Sequence, residues 1–495
     1  MSAKFITEIA TLKSKTAGTG RFGRLFPGLP AQGAGVDPGT IQGWLTSLGT
    51  ALIDDVDANG ILFPAGDHTA LPAGYTYLGQ LIDHDLTFDP TSLPTTQVDI
   101  STLNNFRSAA FDLDSLLGFG PGATPLLYEA QSSALAGRLR TATSMAGNPG
   151  VVANDLPRLG DGTPLIGDPR NDENLLVGQL HTALITFFNK VFVELAAGTI
   201  PDLGPDGGST SEKAARIVRW HYQWIVLNDF LPRIVEGPIL AYIVANGPQH
   251  YQPVAGDPYM PVEFAGAAYR LGHSMVREQY HVNRNFAVAT LGDLFNFSSS
   301  GGSVPVPAIW FINWNRLFEI DPNTAVNRAR RLDPYASPTL HHLPPGVPPP
   351  RDLAVRNLLR GWSWSLPSGQ AIAGALGVVA LTPAQILADA GGQLCKEAPV
   401  VEPFNFHVDT PLWYYILKES EALHAGERLG SVGSTILAEV VVGLLRADPE
   451  SFQNVNPGWT PTLPSTTPGQ FTMADLFRYL PPEALNPNGG DVGAV

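Results

Sequence analysis

Gly79-Gln80-Leu81-Ile82-Asp83-His84-Asp85 places an imidazole between two carboxylates inside an otherwise apolar segment. As a helix over 77–86 it sets Gln80 and His84 four apart on one face, with Asp83 beside them and Asp85 turned elsewhere. Each polar group is then available for a different task. The bland alternative is a helix end with two solvated aspartates and a core histidine held by ordinary packing. Other segments decide between the two.

Around this stretch the hydrophobic pattern is helical. Leu176, Leu180, Leu184, Phe187, Val191 and Leu195 recur at three- and four-residue spacing and predict a core-facing helix over 174–196. Ile217, Trp220, Trp224 and Leu227 repeat the pattern over 212–230, and it returns at 263–276, 352–360, 371–378, 383–389 and 434–446. Sustained apolar alternation is scarce, so the fold is expected to be mainly α with little β structure. Residues 20–75, rich in Gly and Pro, read as an irregular arm wrapped on the body. Pro344, Pro345, Pro348, Pro349 and Pro350 read as a stiff surface connector without a catalytic part. A Pro/Thr/Gly-rich stretch at 454–470 leads to an amphipathic piece at 472–480. There is no internal repeat, Gly-rich phosphate loop or Cys/His zinc spacing.

Composition narrows the partners. A hydrophobic fraction of 44% over 495 residues is ample for a core, and a net charge of −15 argues against nucleic acid or an anionic membrane. Cys395 is the only cysteine, so neither an intrachain disulfide nor a thiolate metal cluster can form. Residues 1–18 hold no apolar stretch long enough for a signal peptide, and no run of roughly 18 apolar residues occurs later. The expectation is a soluble chain with no membrane span, cytoplasmic or exported by a route without a classical signal peptide.

Three further motifs decide the reading. They are Gly167-Asp168-Pro169-Arg170-Asn171-Asp172-Glu173 with Leu180-His181-Thr182 after it, Ala268-Tyr269-Arg270-Leu271-Gly272-His273-Ser274, and Arg356-Asn357-Leu358-Leu359-Arg360 followed by Leu366-Pro367. Taken in order with Gly79–Asp85, they resemble the animal-type haem peroxidases, the superfamily that includes myeloperoxidase and bacterial relatives. The resemblance implies one large haem-peroxidase domain over 71–450, an N-terminal arm over 1–70 and a C-terminal extension over 451–495.

It also implies roles. Peroxide cleavage needs a base that relays a proton and a positive charge where the O–O bond breaks; the resemblance gives these to His84 and Arg170, with Gln80 bonding a distal water or halide. His273 is implied as the axial ligand of haem b, oriented by Asn357, with Arg270 on a haem propionate and Arg360 contributing from the proximal helix. Asp83 and Glu173 match positions that form ester links to haem methyl groups, while Asn174 stands where myeloperoxidase has a sulfonium-forming methionine, so that third link is excluded. Ser108, Ala110, Asp112 and Asp114 alternate along an extended loop and, with Asp85, offer the hard oxygen ligands that suit Ca²⁺. The family has a calcium site at this spacing, although Asp114 replaces a serine of the mammalian members. His181, His221, His281, His341 and His342 read as packing or surface residues.

The implied activity is reduction of hydrogen peroxide with oxidation of a small-molecule reductant, phenolic, halide or pseudohalide. A fatty-acid dioxygenase of the same superfamily is the alternative, and a haem-free structural protein a third. The cyclooxygenase branch of that superfamily carries its radical tyrosine three residues before the proximal histidine, a position held here by Arg270. Tyr269, four before, is expected to point about 100° away.

Overall fold

Asp37-Pro38 is a helix start, an N-cap carboxylate followed by a residue whose missing N–H costs nothing there. In the computed structural model Asp37 Oδ2 accepts from Thr40 N at 3.0 Å and opens α1 (Pro38–Ala51). The stretch expected to be irregular therefore contains a helix, because composition averaged over 20–75 hides a single strong cap. The structure describes residues 20–488 apart from 59, 61, 91–93, 145–153 and 205–206. The segment read for a signal peptide lies outside these.

The periodic segments form helices close to their expected bounds. α2 (Gly74–Leu86) carries the opening motif, and α3 (Leu175–Ala196) is capped by Asn174, whose Oδ1 accepts from Val177 N at 3.0 Å. α4 (Thr210–Ile225) starts with a Ser209/Glu212 capping box and runs into a single π turn, Val226–Phe230, that throws Phe230 toward α2. α5 (Leu353–Ser363) bears Asn357 and packs on α6 (Leu412–His424), which in turn packs on α7 (Ser431–Ala447). Among the described residues the strands form three two-stranded pairs: Phe22–Gly23 parallel with Met260–Pro261, and Asp67–Pro72 with Arg328–Arg330 and Gln279–Tyr280 with Ala289–Thr290, both antiparallel. The mainly α expectation holds.

Two features bear directly on the site. The helix expected over 263–276 breaks into Val262–Gly266 and a 3-10 turn, Ala268–His273. Arg270 Nε donates to Ala265 O at 2.9 Å and takes the carbonyl that a continuing α-helix would give to residue 269. In addition, one continuous apolar core runs from Phe22 to Ala484 and takes in Phe471, Met473 and Phe477, so the C-terminal stretch packs into the body. α3 is long and apolar enough to cross a membrane by length and composition, but 72% of that window is buried inside the fold, as befits a central core helix.

α1 packs closely on α5. A Cβ on Gly49 would meet the Val355 backbone at 2.7 Å. Ala is favoured over Gly in a helix by about 1 kcal/mol, yet overpacking against rigid backbone costs about 1–3 kcal/mol. Gly49→Ala is therefore expected to lower the thermal midpoint; an unchanged or higher midpoint would show that the two helices do not touch there.

Candidate active site

α2, the Pro169–Asp172 turn, the π turn and the Ala268–His273 turn converge on a cavity of about 440 Å³. Gln80, Asp83, His84, Glu173, Arg270 and His273 all line it. Six residues spread over nearly two hundred positions meet because α2 lies against α3 and the 3-10 turn packs against both α2 and α6.

His84 is 5% exposed, and its Nδ1 lies 2.8 Å from Asn171 Oδ1. A carboxamide oxygen only accepts, so Nδ1 carries the proton and Nε2 keeps its lone pair. Asn171 is itself held, its Nδ2 donating to His181 Nδ1 at 3.1 Å and Ser115 Oγ at 3.2 Å. Burial, and then the Arg170 charge, depress His84 to about 3, which leaves it a neutral base. Its Nε2 stands 3.8 Å from Glu173 Oε1. Gln80 is fixed at both ends: Nε2 donates to Glu173 Oε1 and Oε1 accepts from Asn174 Nδ2 at 3.1 Å.

His273 faces the same cavity, and Asn357, fully buried, puts its amide nitrogen 2.8 Å from His273 Nδ1. The amide oxygen Oδ1 has no hydrogen-bond partner. With the two ends of the amide exchanged, Nδ1–H donates to Oδ1, and Nε2 is left with a lone pair for a metal. Burial, reinforced by Arg270, lowers His273 to about 3, so the ring is neutral as a ligand must be.

Two arginines sit elsewhere than expected. Arg170 does not line the cavity; its guanidinium pairs with Asp168 at 2.7 Å, donates to His84 O at 3.1 Å and Thr87 O at 2.7 Å, and lies over the Phe88 ring at 4.5 Å. Its charge still reaches Asp83, Glu173 and His84. Arg360 also lies off the wall, 3.5 Å from Asp89 and over the Trp364 ring at 5.0 Å, although it repels Arg270. Partners near in sequence, Asp168 and Trp364, together with Thr87, Phe88 and Asp89 from a distant segment, decide where these long side chains go. Tyr269, expected to point away, lines the cavity. That expectation assumed one continuous helix over 263–276; the chain instead breaks after Gly266 and continues as a 3-10 turn with its own orientation. The Pro-rich connector also reaches the wall through Leu343, Pro344, Gly346 and Val347.

Arg107 is a residue the motifs did not reveal. It is buried, gives Nε to Asp168 at 2.9 Å and lies 3.3 Å from Asp114. Burial alone would raise Asp168, but Arg107 and Arg170 hold it well below the usual carboxylate range. The only sequence signal for Arg107 was its position just before Ser108. Beside it, Asp85, Asp112 and Asp114 bring carboxylate oxygens within 4.8 Å of one another, and Ser108 Oγ donates to Asp112 at 2.8 Å. This set of hard oxygens, with Asp85 wholly buried, fits a calcium-sized cation.

Residues 130–368 match the family model described as animal haem peroxidase. The chorion peroxidase of Drosophila melanogaster is 31% identical over 125 residues, 24% of this chain and 15% of that protein. The chain thus matches only a small part of that relative's length. Peroxidase A from Dictyostelium discoideum has a similar fold, with a TM-score of 0.59 at 16% identity over 96% of this chain and 94% of that one. So does a fatty acid alpha-dioxygenase of Arabidopsis thaliana, with a TM-score of 0.57 at 15% identity over 94% and 75% of the two chains.

Burial pushes Glu173 up to about 7, against the opposing pull of Arg170. A group whose folded pKa exceeds its unfolded value, about 4.3 for Glu, contributes stability below the unfolded pKa that is lost as pH rises toward the folded one. Thermal midpoints of the haem-free protein should accordingly carry a fall between about pH 4.3 and about 7 that Glu173→Gln removes. Parallel wild-type and variant profiles would contradict this environment for Glu173.

Proposed function

We propose that this chain, residues 130–368 of which match the animal haem peroxidase family model, reduces hydrogen peroxide and oxidises a small organic or inorganic donor. The observation that supports this most is the sharing of one cavity by two neutral histidines, each ring oriented by a buried asparagine. His273 and Asn357 would hold haem b on one side, and the guanidiniums of Arg270, Arg356 and Arg360, which repel one another electrostatically, supply the positive field that two propionates would neutralise. Bound there, haem supplies the iron that takes up peroxide and accepts its oxidising equivalents.

The chain's own residues then handle the proton. His84 Nε2 takes it from the hydroperoxide and returns it to the departing oxygen, while Asn171 keeps Nδ1 protonated so that the imidazole cannot present the wrong tautomer. Gln80, immobilised between Glu173 and Asn174, positions water beside Nε2. Arg170 acts as a field at short range behind His84 rather than as a group touching the oxygen. Asp83 and Glu173, both on the wall, would be the carboxylates able to form ester links to the cofactor's methyl groups under peroxide oxidation. The Asp85, Asp112, Asp114 and Ser108 cluster, completed by the Ala110 carbonyl, would hold Ca²⁺ and brace the end of α2 next to His84.

A fatty-acid dioxygenase is the second reading, favoured by Tyr269, which lines the cavity with a hydroxyl that has no hydrogen-bond partner. Against it, the residue three before His273 is Arg270.

The purified protein should show a haem Soret band, and His84→Ala should keep that band while slowing its response to peroxide by about 10²-fold or more in stopped-flow mixing. Peroxide should drive oxidation of a phenolic donor, with no oxygen uptake on linoleate. A wild-type rate in His84→Ala removes the proton relay, and oxygen uptake abolished by Tyr269→Phe makes the chain a dioxygenase. Elemental analysis after exhaustive dialysis should find about one calcium per chain; metal-free protein of wild-type thermal stability would contradict the cation site.

A further inference from the structure

Three buried glutamates of this fold hold backbone. Glu263 accepts from Leu25 N and Phe26 N, Glu419 from Val432 N, and Glu439 from His250 N and Tyr251 N. Glu397, wholly buried, is used differently: Tyr414 donates its phenol to Oε1 at 2.8 Å, and Tyr335 donates to Oε2, also at 2.8 Å. The Lys418 ammonium, equally buried and 3.5 Å from Oε1, offsets its charge. A carboxylate that touches one phenol with each oxygen can take a proton from either ring. Burial, and then the Glu397 charge, hold both phenols well above their ordinary pKa, so at rest each keeps its proton.

The two tyrosines face different places. Tyr414 is wholly buried on α6, directly after Trp413, whose indole Nε1 donates to Arg270 O at 3.2 Å. Arg270 lines the cofactor cavity, and α6 packs against the Ala268–His273 turn. Tyr335 is partly exposed and carries the exposed Lys396 ammonium over its ring at 4.3 Å, paired in turn with Asp55. Oxidisable rings thus run from the cavity wall to the surface, with a proton acceptor between the last two.

We propose that Trp413, Tyr414, Glu397 and Tyr335 form a relay that carries oxidising equivalents from the cofactor cavity to the surface, where Tyr335 takes electrons from donors too large to enter the cavity. The relay rests on the peroxidase reading above, since its oxidant is hydrogen peroxide acting through the cofactor. Trp413 gives an electron toward the cavity and is refilled from Tyr414, whose proton goes to Glu397 Oε1. Tyr335 then gives an electron to Tyr414. Glu397 returns the first proton through Oε1 and takes the Tyr335 proton through Oε2, so the charge of the buried site is the same before and after the hop. One electron from the donor and the proton held on Glu397 restore Tyr335. Two such passages, with two protons from solvent, reduce one hydrogen peroxide to two waters.

Rapid-freeze electron paramagnetic resonance and peptide mass spectrometry with a nitroso spin trap, both on the full-length, haem-loaded protein mixed with hydrogen peroxide, test this. The wild type should give a tyrosyl signal and a trap adduct on Tyr335. Tyr414→Phe should lose the Tyr335 adduct although Tyr335 is untouched, because a phenyl ring has no phenolic proton to give Glu397. Tyr335→Phe should lose turnover of ferrocene groups coupled to dextran and keep wild-type turnover of free hydroxymethylferrocene. A wild type without the Tyr335 adduct overturns the relay, as does an adduct on Cys395, the buried thiol in the field of Glu397, in place of Tyr335. An undiminished adduct in Tyr414→Phe, or undiminished turnover of dextran-bound ferrocene in Tyr335→Phe, overturns it too. Should Tyr414→Phe fail to fold, Tyr335→Phe, at a partly exposed position, decides alone. The Soret band of the same samples separates the two levels: its absence contradicts the haem reading itself, whereas haem-loaded protein that turns over the free ferrocene with Tyr335 unmodified contradicts the relay alone.

Discussion

The Asp168 carboxylate is the tie on which the site depends. It is wholly buried and shared by Arg107 and Arg170, which approach it from different parts of the chain. Arg107 belongs to the loop that carries Ser108, Asp112 and Asp114; Arg170 belongs to the turn before α3 and reaches the last carbonyls of α2. One acidic residue therefore fixes the acid loop, the turn and the helix bearing His84 relative to one another. Removing one member of such a knot leaves an uncompensated buried charge, a loss of about 3–5 kcal/mol, comparable to much of a domain's net stability. The geometry around His84 derives from that tie.

The same device sets up both histidines. Each is buried enough to stay neutral, and each has one ring nitrogen engaged by an asparagine so that the other faces the cavity. What distinguishes them is the remaining company. His84 has Gln80 and Glu173 beside it and suits proton movement, whereas His273 stands in a field of arginines and suits holding a cofactor with anionic arms. Arg170 contributes to the first environment through charge at a distance, since its donors are already committed to Asp168 and to backbone carbonyls.

Much of this was legible because the reacting residues sit in short contiguous motifs on regular elements. A 3.6-residue stripe fixed Leu175–Ala196 and Ser431–Ala447, and four-residue spacing brought Gln80 and His84 to one wall. The rest depended on contacts between distant segments. Arg360 turns to Asp89 and Trp364, Arg170 to Thr87 O, and Arg107 to Asp168, choices no local pattern encodes. Tyr269 lies on the cavity wall because the chain breaks after Gly266, where the Arg270 side chain takes the Ala265 carbonyl, a contact that periodicity does not encode. The connector at 343–347 has no periodicity, so its place on the cavity wall shows only in three dimensions.

The central claim is that His273 is the residue that holds the cofactor's iron. Resonance Raman spectroscopy of the reduced, haem-loaded protein reads that bond through the iron–histidine stretching band. The band is expected in the wild type, its loss in His273→Gly, and its return when imidazole is added to the variant. A band that persists unchanged in His273→Gly would place the ligand elsewhere and contradict the claim.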